Sequence, residues 1–152
     1  MRLFKLRNKF VPMETYPGDE IFPNGIFEFN ISKMTDYIKE FGEEISIDSI
    51  NVSQFRCKSF SDIDENHVDS VDISIPIILA EISPNSFNVI DGHHRLEKAY
   101  RNGVDEIMAY KLTPEQFIPF LTTLKGYKAF IEYWNSKLKI DKLKYVISTP
   151  IG

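Results

Sequence analysis

The chain has 152 residues, 43% of them hydrophobic and 26% charged, which suits one globular domain with a full core. Its net charge of −4 gives no electrostatic case for wrapping a nucleic-acid backbone. The single Cys57 excludes an internal disulfide and any multi-cysteine metal site, and so suits a reducing cytoplasm. No apolar run approaches the ~20 residues needed to span a bilayer, and the N-terminus does not read as a signal peptide, so no membrane is expected among the partners.

Taken in order, residues 1–13 alternate loosely in Leu3, Phe4, Leu6 and Phe10, as an edge strand would. Their basic cluster of Arg2, Lys5, Arg7 and Lys9 reads as a solvated face rather than a nucleic-acid contact. Pro17-Gly18 and Pro23-Asn24-Gly25 are turn signals, and residues 26–29 a short strand. Ser32 then caps a helix with Met34, Tyr37, Ile38 and Phe41 on its apolar face, ended by Gly42. Residues 45–55 read as a strand and a turn. The next segment, 59–72, is an acidic loop with Asp62, Asp64, Glu65, His67, Asp69 and Asp72. It lacks the glycine and terminal glutamate of a calcium-binding loop.

Residues 75–82, IPIILAEI, form a near-continuous apolar run, the look of a strand covered on both faces, with Pro76 at its beginning. Ser83-Pro84-Asn85-Ser86 turns that run back into a strand at 87–90, and Glu81 reaches for the strand end. Asp91-Gly92 breaks the strand. Leu96, Ala99, Tyr100 and Gly103 then follow at i, i+3, i+4 and i+7, one apolar helical stripe stopped by Asn102-Gly103. A strand at 106–112 alternates, with Ile107 and Ala109 opposite Met108, Tyr110 and Leu112. Strand, turn, helix, glycine, strand predicts a right-handed βαβ crossover in a mixed sheet. Beyond it, Thr113, Pro114 and Gln116 open a helix with Phe117, Phe120, Leu121 and Leu124 buried, divided at Pro119. Gly126 separates a second helix carrying Tyr127, Phe130, Ile131, Trp134 and Leu138. Residues 143–148 read as a further strand or a surface for a partner.

The polar residues gather at the strand-to-helix junction. With Asp91 as N-cap, Gly92, His93, His94 and Arg95 form a first turn whose N–H groups lack intrahelical partners. Those groups, the helix dipole and an arginine fork suit a phosphate or carboxylate, and Gly92 lets it approach closely. Asp91, Gly92, His93, His94 and Arg95 are therefore the expected ligand-binding residues.

Val89-Ile90-Asp91-Gly92-His93-His94-Arg95-Leu96, with Ala99, Gly103-Val104 and the earlier Pro76-Ile77-Ile78-Leu79, resembles the signature of the ParB N-terminal/sulfiredoxin superfamily. The likeness covers about residues 75–112 and extends plausibly from Ile45. It implies an α/β (α+β) fold for a motif-bearing core at about 45–112, within the one domain over 1–152 that the length suggests, and the helices of 113–152 form a C-terminal extension beyond the likeness. It also implies a nucleotide (ATP, ADP or CTP) with its phosphate at this helix N-terminus. Mg²⁺ would be held, or a proton taken, by a carboxylate of the acidic loop, Glu65 or Asp72. In motif it is nearest to the ParB-like free-serine kinases. Sulfiredoxin chemistry is disfavoured, because His93 stands where that family has its cysteine.

Three functions compete. The first is a nucleotide-dependent phosphotransferase or nucleotide hydrolase acting on a small-molecule acceptor, with His93, His94, Arg95, Glu65 and Asp72 catalytic. The second is a module that senses a nucleotide or phospholigand without turnover. The third, a metal-dependent nuclease, is weakest, because adjacent helical residues point about 100° apart and seldom share one metal. The enzyme is favoured over the sensor. The sequence leaves the oligomeric state open.

Overall fold

A computed structural model describes residues 3–24, 27–56 and 63–148, with residues 24 and 141–148 described by backbone alone. In chain order the elements are strands β1 (Ile21–Asn24) and β2 (Phe27–Asn30), helix α1 (Ile31–Phe41), strand β3 (Ser46–Asn51), and short helices α2 (Val52–Phe55) and α3 (Glu65–Ser70). Strands β4 (Ile77–Ser83) and β5 (Ser86–Asp91), helix α4 (His93–Arg101), strand β6 (Glu106–Leu112), and helices α5 (Pro114–Phe117) and α6 (Leu124–Ser148) complete the chain. The fold is a mixed α+β arrangement. No helix among the described residues is long and apolar enough to cross a membrane.

The apolar run of β4 lies inside the main sheet, whose order is β3-β6-β4-β5. Residues 77–82 are all buried, as the near-continuous pattern requires of a strand covered on both faces. Ile78, Ala80 and Ile82 face a core built with Phe29, Met34, Phe117 and Phe130. Ile77 and Leu79 face a second core with Ile50, Leu96, Ala99 and Ala109. The alternation of β6 divides in the same way, Ile107 and Ala109 to the second core and Leu112 to the first. Burying each Ile, Leu, Met or Phe among them contributes about 1.5–3 kcal/mol, and each Ala less.

The expected βαβ crossover is not what forms. β4 is antiparallel to β5 and parallel to β6, so β5 and β6 run in opposite directions with β4 between them. The parallel pair is therefore β4 and β6, joined through the whole hairpin and α4. The hairpin closes at Asn85, which adopts φ +61°, and Glu81 Oε2 accepts from the Asn85 N–H at 2.9 Å, reaching for the strand end as expected.

Other expectations are corrected by packing. Residues 3–13 form no strand but lie as an extended strap against α6. Phe4 and Asn135 exchange two hydrogen bonds of 2.8 Å, and the Phe10 ring stacks on Tyr127 at 4.0 Å. Pro23 belongs to β1, which pairs with β2 in a two-stranded ribbon. Ile26 and Gly25 lie outside the described residues, as do Arg2, Cys57 and Asp62. Asn30, not Ser32, caps α1: its Oδ1 accepts from the Lys33 N–H at 3.0 Å. The Ser32 hydroxyl accepts from the Glu20 N–H instead.

The acidic loop contains a helix, α3, capped by Asp64 and anchored by the buried Val68. Pro119 does divide the C-terminal helices, but Gly126 lies inside α6, which starts at Leu124, itself exposed. Residues 143–148 continue α6 and add no strand. Tyr100 is 47% exposed and does not share the buried stripe of Leu96 and Ala99. The Arg56 guanidinium lies over its ring at 3.8 Å.

Candidate functional site

The junction between β5 and α4 is built around Gly92 rather than Asp91. Asp91 ends β5, and Gly92 is the N-cap at φ +118°, so no side chain caps the helix. Gly92 is required here for two reasons. Its φ is in the left-handed region, and a Cβ would stand 2.3 Å from Cγ2 of the buried Ile77.

The Arg95 fork is already engaged. Its Nη2 donates to Asp91 Oδ2 at 2.9 Å, and its Nη1 donates to the carbonyls of Ile75 (3.1 Å) and Pro76 (2.7 Å). The expected anion-binding arginine is thus the clasp between the start of β4 and the end of β5. The other cations of α4 also hold neighbours. Lys98 donates to the carbonyls of Asp69 and Val71, and Arg101 makes a two-pronged pair with Glu65. Behind them the buried Glu97 accepts from Arg56 at 2.6 Å and from Arg101 at 2.9 Å.

The histidines differ from each other. His93 stacks on Phe22 of β1 with ring centres 5.9 Å apart. His94 Nε2 accepts from the Asp64 N–H at 3.2 Å, and its ring meets His67 edge-on at 4.4 Å. Burial, then the His67 charge, hold the His94 pKa below the usual histidine range, against a smaller pull from Asp64. His94 is therefore a neutral acceptor near pH 7.

Glu65 and Asp72, the expected base or cation ligands, are directed elsewhere. Hydrogen bonding from Arg101 holds the Glu65 carboxyl below the usual range, and hydrogen bonding from Ser74 does the same for Asp72. Glu65 pairs with the far end of α4 and Asp72 with its own turn, and neither hydrogen bond is to the helix N-terminus. Among the described residues, no three His, Cys, Asp or Glu side chains gather to hold a metal ion.

A second acidic residue at the junction, beside Asp91, is one the sequence did not single out. Glu20 follows the strap and precedes β1. Its backbone is pinned to α1, its N–H donating to Ser32 Oγ at 2.8 Å and its carbonyl accepting from the Ile31 N–H at 2.8 Å. Asn30 steadies the approach by donating to the Glu14 carbonyl and to Asp19 Oδ2. Glu20 is open to solvent. Partial desolvation, then the Asp91 charge, nevertheless raise its carboxyl pKa above the usual range, opposed by Arg95 and His67. Two clefts share Glu20 and Asp91. One, of about 520 Å³, is walled by Gly92, His93, His94, Phe22 and Ile63. The other, of about 850 Å³, has Ile38, Ile75, Ile78 and Tyr110 with Lys39, Glu40 and Glu43. No short motif marks Glu20, because only the pairing of β1 with β2 and its contact with β5 bring it to the junction.

No protein-family model, curated protein or solved structure matches the chain.

Proposed function

We propose that the chain is a small nucleotide-dependent enzyme that takes a nucleotide phosphate at the first turn of α4 and transfers or releases a phosphoryl group. One observation carries this reading: Gly92, the uncapped start of α4, and Glu20 wall the same cleft. Helix N-termini favour anions through their amides and dipole, and a residue without Cβ lets the anion come close. The ParB-like likeness of residues 89–104 points to the same ligand. Glu20, with its raised pKa, is the proton acceptor in place of Glu65 and Asp72. The acceptor's hydroxyl proton passes to Glu20 while its oxygen attacks the terminal phosphorus. The bond to the bridging oxygen breaks, and the leaving nucleotide takes the electron pair. The larger cleft offers the acceptor a place across Glu20 and Asp91. Because Glu65 and Asp72 are tied to Arg101 and Ser74, they do not fit a Mg²⁺ site, and no step is assigned to that ion.

A second reading, capture of a phosphorylated ligand without turnover, is favoured by the engagement of Arg95 with three acceptors. One experiment separates the two. ATP, ADP and CTP are titrated, with and without Mg²⁺, into labelled protein while the amides of residues 91–96 are followed, and product is assayed for wild type and Glu20→Gln. The enzyme predicts amide shifts in both proteins and product only from wild type. Binding without product from wild type supports the sensor, and unmoved amides at saturating ligand reject both.

A further inference from the structure

The modest overall charge conceals a strong segregation. Residues 3–13 and 124–140 carry seven of the eighteen Lys and Arg but only one of the twenty-two Asp and Glu, a net of +6 that leaves −10 on the rest. The fold brings these two distant segments together. The strap runs antiparallel to α6, with Phe4 at Asn135, the Arg7 N–H on the Tyr127 hydroxyl at 2.9 Å, and the Met13 N–H on the Leu121 carbonyl at 2.9 Å. Lys5, Arg7 and Lys9 are exposed on the strap. Lys128 and Lys139, also exposed, lie on the same helical stripe as Asn135, interrupted by Glu132. Lys5, Arg7 and Lys9 of the strap thus flank Lys128 and Lys139 of α6 on one basic surface.

The apolar residues on that face point to the kind of polyanion. The strap's rings are turned inward, Phe4 against Trp134 and Phe10 against Tyr127, so they are not offered for stacking on bases. The aliphatic Leu3, Leu6 and Val11 face outward, 45%, 54% and 75% exposed, alongside the strap's cations. Beneath the strap is a cleft of about 240 Å³ walled by Phe4, Ile118, Pro119 and Ile131 with Lys5 and Arg7 beside them. Glu115 is the acidic group on its wall. Cations interleaved with aliphatic side chains, over an apolar slot, match an acyl chain under an anionic headgroup.

We propose that the strap and α6 form a docking face for an anionic lipid bilayer, on which the chain lies without crossing it. This is independent of the phosphate reading at α4. The test is co-sedimentation of the full chain with vesicles of phosphatidylcholine alone and of phosphatidylcholine mixed with phosphatidylserine. A duplex and a single-stranded oligonucleotide are titrated in parallel. Binding to the mixed vesicles and not to the neutral ones is expected, weakening as salt rises from about 0.1 to 1 M. Lys5→Glu/Arg7→Glu/Lys9→Glu should weaken it by at least roughly 100-fold. Leu3→Ser/Leu6→Ser/Val11→Ser should weaken it while leaving all the charges in place. Because these side chains are exposed, both variants should keep the wild-type melting transition. Failure to sediment with mixed vesicles, equal binding to both kinds, wild-type binding by the charge-reversed variant, or tighter binding to an oligonucleotide overturns the proposal.

Discussion

Arg95 Nη2 donates to Asp91 Oδ2 at 2.9 Å, and the two side chains are only 12% and 24% exposed. The arginine therefore closes the strand-to-helix junction before any ligand arrives. Arg95→Ala leaves Asp91 without its cation and two carbonyls without a donor. It should cost on the order of 3 kcal/mol in chemical denaturation. A loss within error of zero would mean that the arginine faces solvent. Because of this role, loss of ligand binding in Arg95→Ala would not by itself demonstrate contact with ligand.

Gly92→Ala combines positive φ with a clash against the buried Ile77. Strain from each source runs at about 1–3 kcal/mol. The variant should be clearly destabilised, and any protein that stays folded should show shifted Ile77 methyl resonances. A variant as stable as wild type would show that the junction does not need glycine.

The two apolar residues of α4 that look equivalent in the sequence should behave differently. Leu96 is fully buried, and Leu96→Ala should cost about 2–5 kcal/mol. Tyr100 is half exposed under Arg56, and Tyr100→Ala should cost about 0.5–1 kcal/mol. Equal losses in thermal or chemical unfolding would place the helix face wrongly.

Glu97 should set much of the acid limit. The hydrogen bond from Arg56 is the largest influence holding its carboxyl below the usual range, with Arg101 adding to it and desolvation opposing. A depressed native pKa means that the unfolded chain takes up the proton first as pH falls. The stabilisation is thus complete above the unfolded value of about 4.3 and is lost as pH drops through the native pKa. Glu97→Gln should lower stability at pH 7 by about 3 kcal/mol and flatten the decline below about pH 4.5. Parallel pH curves for the two proteins would contradict this.

Local pattern was enough wherever a residue's role depends on its near neighbours in the chain. The unbroken run of β4 announced a strand buried on both faces, the spacing of Leu96 and Ala99 announced α4, and Thr113-Pro114-Gln116 announced a helix start divided at Pro119. The break at Asp91-Gly92 was legible too. Which of the two residues caps the helix was not, because the demand for glycine comes from Ile77 on a different strand.

The sequence by itself determined that a mixed sheet would carry α4 behind a polar turn, because hydrophobic period and turn chemistry act over a few residues. Only the tertiary structure decided the strand order, the engagement of Arg95, the removal of Glu65 and Asp72 to other partners, and the arrival of Glu20 beside Asp91. It also decided that the basic strap would lie along the basic helix. The strand order, the pairing of Glu65 with Arg101, the arrival of Glu20 and the strap on α6 are meetings of residues far apart in the chain. Arg95 with Asp91 and Asp72 with Ser74 are near neighbours. Which charge finds which partner depends on the packing of the two cores, which no local spacing encodes.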